Sequence, residues 1–117
     1  MMLTLLKSKL HRACITEASV EYPGSIGISR ELMDAVGLLE WEKVLVANID
    51  NGERLETYVI VEERPGQIVL NGAAAHKGSP GDRVIIMSFA QIGEHDALEF
   101  KPRIAVLDEQ NKIVKTH

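Results

Sequence analysis

Cysteine and aromatic residues are scarce in this chain, and positive charge is not in excess. Of its 117 residues only Cys14 is a cysteine, and 4% are aromatic. One cysteine excludes an internal disulfide and is typical of a protein in a reducing cytoplasm. The 13 Lys and Arg residues stand against 17 Asp and Glu, which gives a net charge of −4. We therefore expect no nucleic acid partner, because binding to phosphates requires clustered positive charge.

Long apolar runs are also missing. The segment 1–6 is largely apolar, but Lys7 and Lys9 interrupt it before it reaches the length of a signal peptide or a membrane span. Internal repeats and linker-like segments are absent, and a chain of 117 residues suits one hydrophobic core. We therefore expect a single domain over residues 1–117, cytoplasmic and without a membrane partner.

The chain lacks the common metal-binding and phosphate-binding motifs. Its four histidines, at positions 11, 76, 95 and 117, show none of the paired spacings of a zinc site. It has neither a glycine-rich phosphate loop nor a Gly-x-Ser-x-Gly motif. We expect no metal.

What the chain does have is a succession of short apolar segments separated by Gly, Asp and Asn. The pattern predicts eight strands, at Leu3–Ile15, Ile26–Ile28, Val44–Ile49, Arg54–Val61, Gln67–Leu70, Val84–Ala90, Arg103–Asp108 and Lys112–Lys115. So many strands in a short chain predict a mainly β domain closed into a barrel, because closure removes exposed edges.

Turn and helix signals refine this picture. Asp50-Asn51-Gly52 predicts a type I′ hairpin turn between two of the strands, since Asn-Gly readily adopts two positive φ values. One helix is predicted with Ser29 as its N-cap and Gly37 as its end, and with an apolar stripe between them. A second short helical turn is predicted over 94–98.

Two predicted strands carry polar side chains that the strands do not need. Lys9 and His11 alternate with Leu10, so they share one face. Taken alone, that pattern is typical of a solvated strand face. Further along, Arg54 and Tyr58 share one face of a strand with Glu56, while Leu55 and Thr57 share the other. Arg54 suits either a surface ion pair with Glu56 or two-point contact with a carboxylate ligand.

Two turn-like segments also stand out. Asn71-Gly72-Ala73-Ala74-Ala75-His76 has too little bulk to fill a core, which favours close approach of its backbone to another group. A short helical turn is the alternative, since alanine favours helix. Tyr22-Pro23-Gly24-Ser25 has the pattern of a β-turn. The Ser25 hydroxyl follows the accessible carbonyl of Gly24 and is able to attack it, although the four residues alone are typical of an ordinary turn.

Together, four motifs in this order closely resemble those of the pyruvoyl-dependent aspartate 1-decarboxylases. They are Lys-x-His-Arg at 9–12, Tyr-x-Gly-Ser at 22–25, Asn-Gly-x-Arg-x-x-Thr-Tyr at 51–58 and Asn-Gly-Ala-Ala-Ala-His at 71–76. The resemblance extends from the N-terminus through at least Lys101-Pro102. One departure is Pro23, at a position where relatives have other residues, and its effect on cleavage stays open.

The resemblance implies that the chain is a proenzyme that cleaves itself between Gly24 and Ser25, into a β chain of residues 1–24 and an α chain of residues 25–117. Attack by Ser25 converts the peptide bond into an ester, with Thr57 assisting by a hydrogen bond near the Gly24 carbonyl. β-Elimination then gives dehydroalanine, which hydrolyses to a ketone and releases ammonia. Ser25 thus becomes a pyruvoyl group, and the need for an accessory maturation protein is left open.

The implied activity is decarboxylation of L-aspartate to β-alanine, a precursor of pantothenate. The pyruvoyl ketone forms a Schiff base with the substrate and replaces pyridoxal phosphate, with no bound cofactor. Tyr58 is implied as the proton donor and Arg54 as the partner of the retained carboxylate. The other implied substrate-binding residues are Lys9, His11, Thr57, Asn71, Gly72, Ala73 and Ala74.

The family's fold is a six-stranded double-psi β-barrel with short helices, assembled as a homotetramer with sites between subunits. Such an interface answers one difficulty, because strict alternation places Thr57 and Tyr58 on opposite faces of their strand. The alternative function is a non-enzymatic β-barrel module that binds a ligand or peptide and never matures.

Overall fold

A computed structural model describes all residues from Met1 to His117. The strands are β1 (Met2–Cys14), β2 (Glu17–Ser19), β3 (Ser25–Ser29), β4 (Lys43–Asn48), β5 (Arg54–Glu62), β6 (Ile68–Asn71), β7 (Arg83–Gly93), β8 (Arg103–Leu107) and β9 (Ile113–Thr116). The helical segments are α1 (Arg30–Val36), a 3₁₀ turn (Gly72–Lys77) and α2 (Glu94–Ala97). No helix has the length and apolar character required to cross a membrane.

All eight predicted strands are present, with small shifts at their ends, so the mainly β class is confirmed. The prediction missed only β2, a polar segment of three residues. Its strand conformation depends on parallel pairing with β6, from Glu17 opposite Val69 to Ser19 opposite Asn71. Pairing between segments so far apart in the chain leaves no local sequence pattern.

The nine strands form one sheet in the order β2-β6-β3-β5-β4-β7-β1-β8-β9. The sheet is not closed by pairing of its edge strands β2 and β9, so the predicted closure of the barrel is not confirmed. The chain just after β1 nevertheless returns to β6, because the Thr16 N–H donates to the Ile68 carbonyl at 2.8 Å.

The predicted hairpin is confirmed, but the prediction of its turn type was wrong. β4 and β5 pair antiparallel from Lys43 opposite Tyr58 to Ala47 opposite Arg54. A type I′ turn requires two positive φ values, whereas only Gly52 has one here, at 75°. The reason is a longer loop organised by Asn48, whose side-chain oxygen accepts from the Asp50 N–H at 2.9 Å.

Helix α1 begins after Ser29 and ends at Gly37 as predicted, but Ser29 does not cap it with its side chain. Gly37 has φ 74°, the left-handed conformation that ends many helices, and its N–H donates to the Met33 carbonyl. Ser29 precedes the helix, yet its side chain makes no capping bond. The Ser29 hydroxyl instead donates to the Arg64 carbonyl at 2.8 Å and accepts from the Gln67 N–H at 2.6 Å. Ser29 therefore joins β3 to the loop before β6.

The hydrophobic core is centred on β3 and the strands around it. Every residue of β3 is buried, and Ile26 and Ile28 are completely so. Burial of each isoleucine contributes about 2 kcal/mol of stability. Leu10 of β1 and Ile86 of β7 belong to the same cluster of buried residues. Ser25 is thus the first residue of a fully buried strand that pairs with β5 on one edge and β6 on the other.

Candidate active site

The Ser25 side chain is enclosed between the preceding turn and β6. It is 2% exposed, and its hydroxyl donates to the Pro23 carbonyl at 3.3 Å. The Asn71 side-chain amide donates to the hydroxyl oxygen of Ser25 at 3.1 Å. Antiparallel pairing of β3 with β6 places Asn71 directly opposite Ser25. The structure therefore brings these two predicted site residues together and directs two polar partners at one hydroxyl.

Gly72 packs against the backbone of the turn that contains Gly24. A Cβ atom at position 72 would lie 2.6 Å from both the Cα and the N of Gly24, and 2.8 Å from the Tyr22 carbonyl oxygen. Gly72 also has φ 64°, which L-residues with side chains rarely adopt. The predicted close approach of backbone is thus confirmed at Gly72, and the alternative helical turn is present as well, over Gly72–Lys77.

Two clefts adjoin the Gly24-Ser25 peptide bond. The larger, of about 630 Å³, has Ser25 and Asn71 in its wall. The smaller, of about 440 Å³, has Gly24 and Thr57 in its wall. Tyr58 contributes to both clefts. The candidate scissile bond therefore lies between the two clefts, and Thr57 and Tyr58, predicted to act in cleavage and proton transfer, line the smaller one.

Thr57 and Tyr58 both reach the smaller cleft within a single chain, although alternation assigns them to opposite faces. The reason is that β5 pairs with β3 only from Val59 onward, opposite Ile26. Before Val59 the β5 edge that faces the turn is unpaired, and the cleft runs along this edge. Side chains from both faces of the strand line it. Ala73 and Ala74 form part of the same wall.

Three predicted site residues lie elsewhere in the chain. Lys9 and His11 are on β1, where they stand opposite Ile104 and Val106 of β8. Arg54 is exposed at the start of β5, opposite Ala47. None of the three lines either cleft beside Ser25. Within one chain the structure does not bring them to the candidate scissile bond.

The surroundings of His11 favour its neutral form. Burial lowers the pKa of His11, and the positive charges of Lys9, Arg12 and Arg83 lower it further. Its Nδ1 atom is buried without a hydrogen-bond partner. The predicted alternation on this strand is confirmed, since Leu10 is fully buried while its two neighbours are half-buried.

Sequence patterns did not indicate the charged cluster in the larger cleft. The Arg64 guanidinium donates to Glu17 at 2.6 Å and to Glu62 at 2.9 Å. These hydrogen bonds from Arg64 lower the pKa of both carboxyl groups and raise the pKa of Arg64. Glu17 lies 47 residues from Arg64, so the cluster exists only in the folded chain. It fastens β2, which leads into the turn at 20–24, to the rest of the sheet.

Two aromatic residues of the larger cleft were not predicted as site residues, although one of them, Tyr22, belongs to a motif that carries the resemblance. Trp41 and Tyr22 are exposed, and both line the cleft with Ser25. The Trp41 ring stacks on Tyr58, with 5.7 Å between ring centroids and an interplanar angle of 29°. A tryptophan in a loop gives no signal of its partner.

No group of three or more His, Cys, Asp or Glu side chains is placed to hold a metal ion.

The fold and the candidate site describe a small, mainly β protein in which a buried serine follows a glycine in a closely packed turn, beside two clefts. A family model described as aspartate decarboxylase matches residues 1–114. The chain belongs to this family, and the resemblance inferred from its motifs is confirmed.

Individual relatives match over nearly the whole chain. An aspartate 1-decarboxylase of Campylobacter jejuni is 51% identical over 115 residues, which cover 98% of this chain and 91% of the relative. One of Shouchella clausii is 56% identical over 113 residues, covering 96% and 89%. One of Thioalkalivibrio sulfidiphilus is 49% identical over 117 residues, covering 99% and 93%. The family match over residues 1–114 therefore spans the positions of all the predicted site residues.

Proposed function

We propose that this chain decarboxylates L-aspartate to β-alanine and CO2, as a step of pantothenate biosynthesis. Its pyruvoyl group forms from Ser25 when the chain cleaves itself after Gly24, into residues 1–24 and 25–117. Family membership supports the substrate and the reaction. The observation that carries the proposal is the geometry of Ser25, which is buried, held by Asn71 and joined to a glycine that packs on Gly72.

The residues around Ser25 suit both the cleavage reaction and the pyruvoyl group that cleavage would form at position 25. Asn71 orients the Ser25 oxygen, and the Ser25 hydroxyl donates a hydrogen bond to the Pro23 carbonyl in the resting chain. Gly72 constrains Gly24, so the carbonyl to be attacked belongs to a turn that has little freedom to move. Thr57, in the cleft beside Gly24, supplies a hydroxyl for the oxyanion that develops there.

Decarboxylation requires a group that accepts electrons and a proton donor. A pyruvoyl group derived from Ser25 would supply the carbonyl that binds the substrate amine and the electron-accepting chemistry that decarboxylation needs. Asn71 is placed to hold that group by its side-chain amide. Tyr58 borders both clefts and donates the proton to the substrate Cα. Gly72, Ala73 and Ala74 present backbone groups to the substrate.

The remaining substrate contacts come from a second subunit in this proposal. Lys9, His11 and Arg54 do not line the clefts of their own chain. A homotetramer with sites between subunits brings them to the clefts of a neighbour, where Arg54 binds the retained carboxylate. Lys9 and His11 add polar contacts. The observation in favour of this assembly is that, within one chain, Lys9, His11 and Arg54 lie away from both clefts beside Gly24 and Ser25.

We also propose that the sheet is a double-psi β-barrel. Beside the bond from Thr16 to Ile68, the Asn111 side-chain amide donates to the Cys14 and Gly66 carbonyls, both at 2.9 Å. These bonds join the end of β1 to the loop before β6, two regions that are distant in the strand order. For location we propose the cytoplasm, in keeping with a single cysteine.

Mass spectrometry of the purified protein tests the function. We expect two fragments corresponding to 1–24 and 25–117, the second with a blocked N-terminus, and formation of β-alanine from aspartate. Ser25→Ala abolishes both. The control is Ser79→Ala, at an exposed serine outside both clefts, which cleaves and turns over normally. A purified chain that stays intact on prolonged warming without other proteins contradicts unaided self-cleavage and favours either a maturation protein or the non-enzymatic binding module.

A further inference from the structure

Trp41 occupies a backbone position that ordinarily selects glycine. The Glu42 N–H donates to the Leu39 carbonyl at 3.1 Å, which closes a β-turn with Trp41 as its third residue. Trp41 has φ 76°, the value that a type II turn requires at this position. A bulky residue with positive φ is rare because its Cβ crowds the backbone. The turn is held in place by a 2.7 Å bond from the Trp41 N–H to the Val59 carbonyl.

Burial of the indole does not explain why tryptophan stands there. Trp41 is 68% exposed, so the ring contributes little to the hydrophobic core. Its specific contact is the stacking on Tyr58, at a centroid separation of 5.7 Å, within the cleft that Ser25 lines. Stacked aromatic pairs attract each other beyond the area they bury. The strained turn therefore serves to present the indole to one particular tyrosine.

We propose that Trp41 is a positioning residue for Tyr58. This inference rests on the proposed function, in which Tyr58 donates the proton to the substrate. The indole covers one face of the phenol and restricts rotation of its side chain, so the hydroxyl keeps one direction in the cleft. A general acid must be held within hydrogen-bond reach of the atom it protonates. Trp41 thus acts on turnover through Tyr58 and has no part in the cleavage of the chain.

Kinetics of two variants separate this role from a merely structural one. Trp41→Gly removes the indole, and glycine adopts φ 76° without strain, so the fold is retained. We expect self-cleavage at the wild-type rate, KM within about twofold, and kcat lower by about three- to tenfold, the value of one aromatic stack. Trp41→Phe keeps a ring on Tyr58 and restores kcat to within about twofold. Equal kcat values for Trp41→Gly and wild type overturn the proposal, as do equal losses in both variants.

A measurement without turnover tests the stacking itself. Trp41 is the only tryptophan, so time-resolved fluorescence anisotropy reports the motion of this one ring. In the cleavage-deficient Ser25→Ala chain we expect restricted motion, and in the Ser25→Ala, Tyr58→Ala chain a larger sub-nanosecond loss of anisotropy. The control is Tyr22→Ala in the same background, which removes the other tyrosine of the cleft and leaves the stack intact.

The two experiments distinguish the possible failures. If the wild type neither cleaves nor decarboxylates aspartate, the proposed function fails whatever the anisotropy shows. If the wild type is active and Tyr58→Ala leaves the anisotropy of Trp41 unchanged, the stack does not hold the ring and the positioning role is refuted. If the anisotropy shows that the stack holds the Trp41 ring but Trp41→Gly turns over normally, the positioning role is refuted as well. The proposed function then still stands.

Discussion

Replacing Gly72 by alanine places a methyl group inside the backbone of the turn that precedes Ser25. The new Cβ lies 2.6 Å from the Cα and N of Gly24, whereas ordinary contact begins at 3.4 Å. Because the opposing atoms are backbone, no side chain can rotate to make room. The turn must move by roughly 0.8 Å, and misplacement of reacting groups by about 1 Å costs on the order of 100-fold in rate.

The effect on stability has two parts. Alanine at φ 64° costs about 1–2 kcal/mol, and overpacking against the turn costs about 1–3 kcal/mol more. Gly52 provides a matched control, since it has φ 75° and no atom lies within 4 Å of a Cβ built on it. Gly52→Ala therefore carries the conformational cost without the contact.

The assay is a time course of cleavage by mass spectrometry, beside urea unfolding of each variant in the Ser25→Ala background to exclude cleavage during the measurement. We expect Gly72→Ala to cleave at least tenfold more slowly than Gly52→Ala and to be the less stable of the two. If both variants cleave at the same rate, contact between Gly72 and the turn does not control the geometry of the scissile bond.

Three further predictions concern Asn71, β5 and acid stability. Asn71→Ala leaves the buried Ser25 hydroxyl without its 3.1 Å donor, a loss of about 1–3 kcal/mol, so cleavage followed by mass spectrometry slows by about ten- to a hundredfold; an unchanged rate contradicts the orienting role. Thr57→Val slows cleavage, whereas Tyr58→Phe cleaves normally and forms β-alanine slowly. Slow cleavage in Tyr58→Phe with normal cleavage in Thr57→Val would refute this division of roles. Hydrogen bonds from the Asn48 side chain and the Ser79 N–H lower the pKa of Asp82 below its ordinary 3.8. The Asp82 carboxylate therefore stabilises the fold at pH values above 3.8, and this contribution is lost as the pH falls through the lowered pKa. Asn48→Ala therefore loses less stability than wild type on acidification from pH 7 to 3 in urea unfolding, and equal losses contradict the assignment.

Local sequence patterns predicted most of the secondary structure for identifiable reasons. Gly37 ended α1 because glycine alone adopts the left-handed conformation without strain, and the helix needed no tertiary contact to end there. The hairpin of β4 and β5 followed from two apolar segments on either side of a short polar loop. Such features depend on residues that are neighbours in the chain.

Two local details were predicted wrongly, the capping bond of Ser29 and the turn type at Asn51-Gly52, because side-chain hydrogen bonds formed with other partners. Ser29 has the right residue type and place for a helix cap, but its hydroxyl bonds to Arg64 and Gln67, more than thirty residues away in the chain. Asn51-Gly52 has the composition of a type I′ turn, but the side chain of Asn48 organises a wider loop. In both cases the outcome depended on a side-chain hydrogen bond that residue type and position alone do not reveal.

The sequence by itself determined the mainly β class and the family, and it predicted Ser25, Asn71, Thr57 and Tyr58 as site residues, because these inferences rest on apolar spacing and on motifs along the chain. Only the tertiary structure decided which of them meet. Pairing of β3 with β6 brings Asn71 to Ser25 across 46 residues, and the unpaired edge of β5 brings Thr57 and Tyr58 to the same turn. Tertiary structure also gave Trp41 its partner. The physical reason is that residue type and local spacing specify what a side chain is able to do, whereas distances between remote segments depend on strand pairing and core packing.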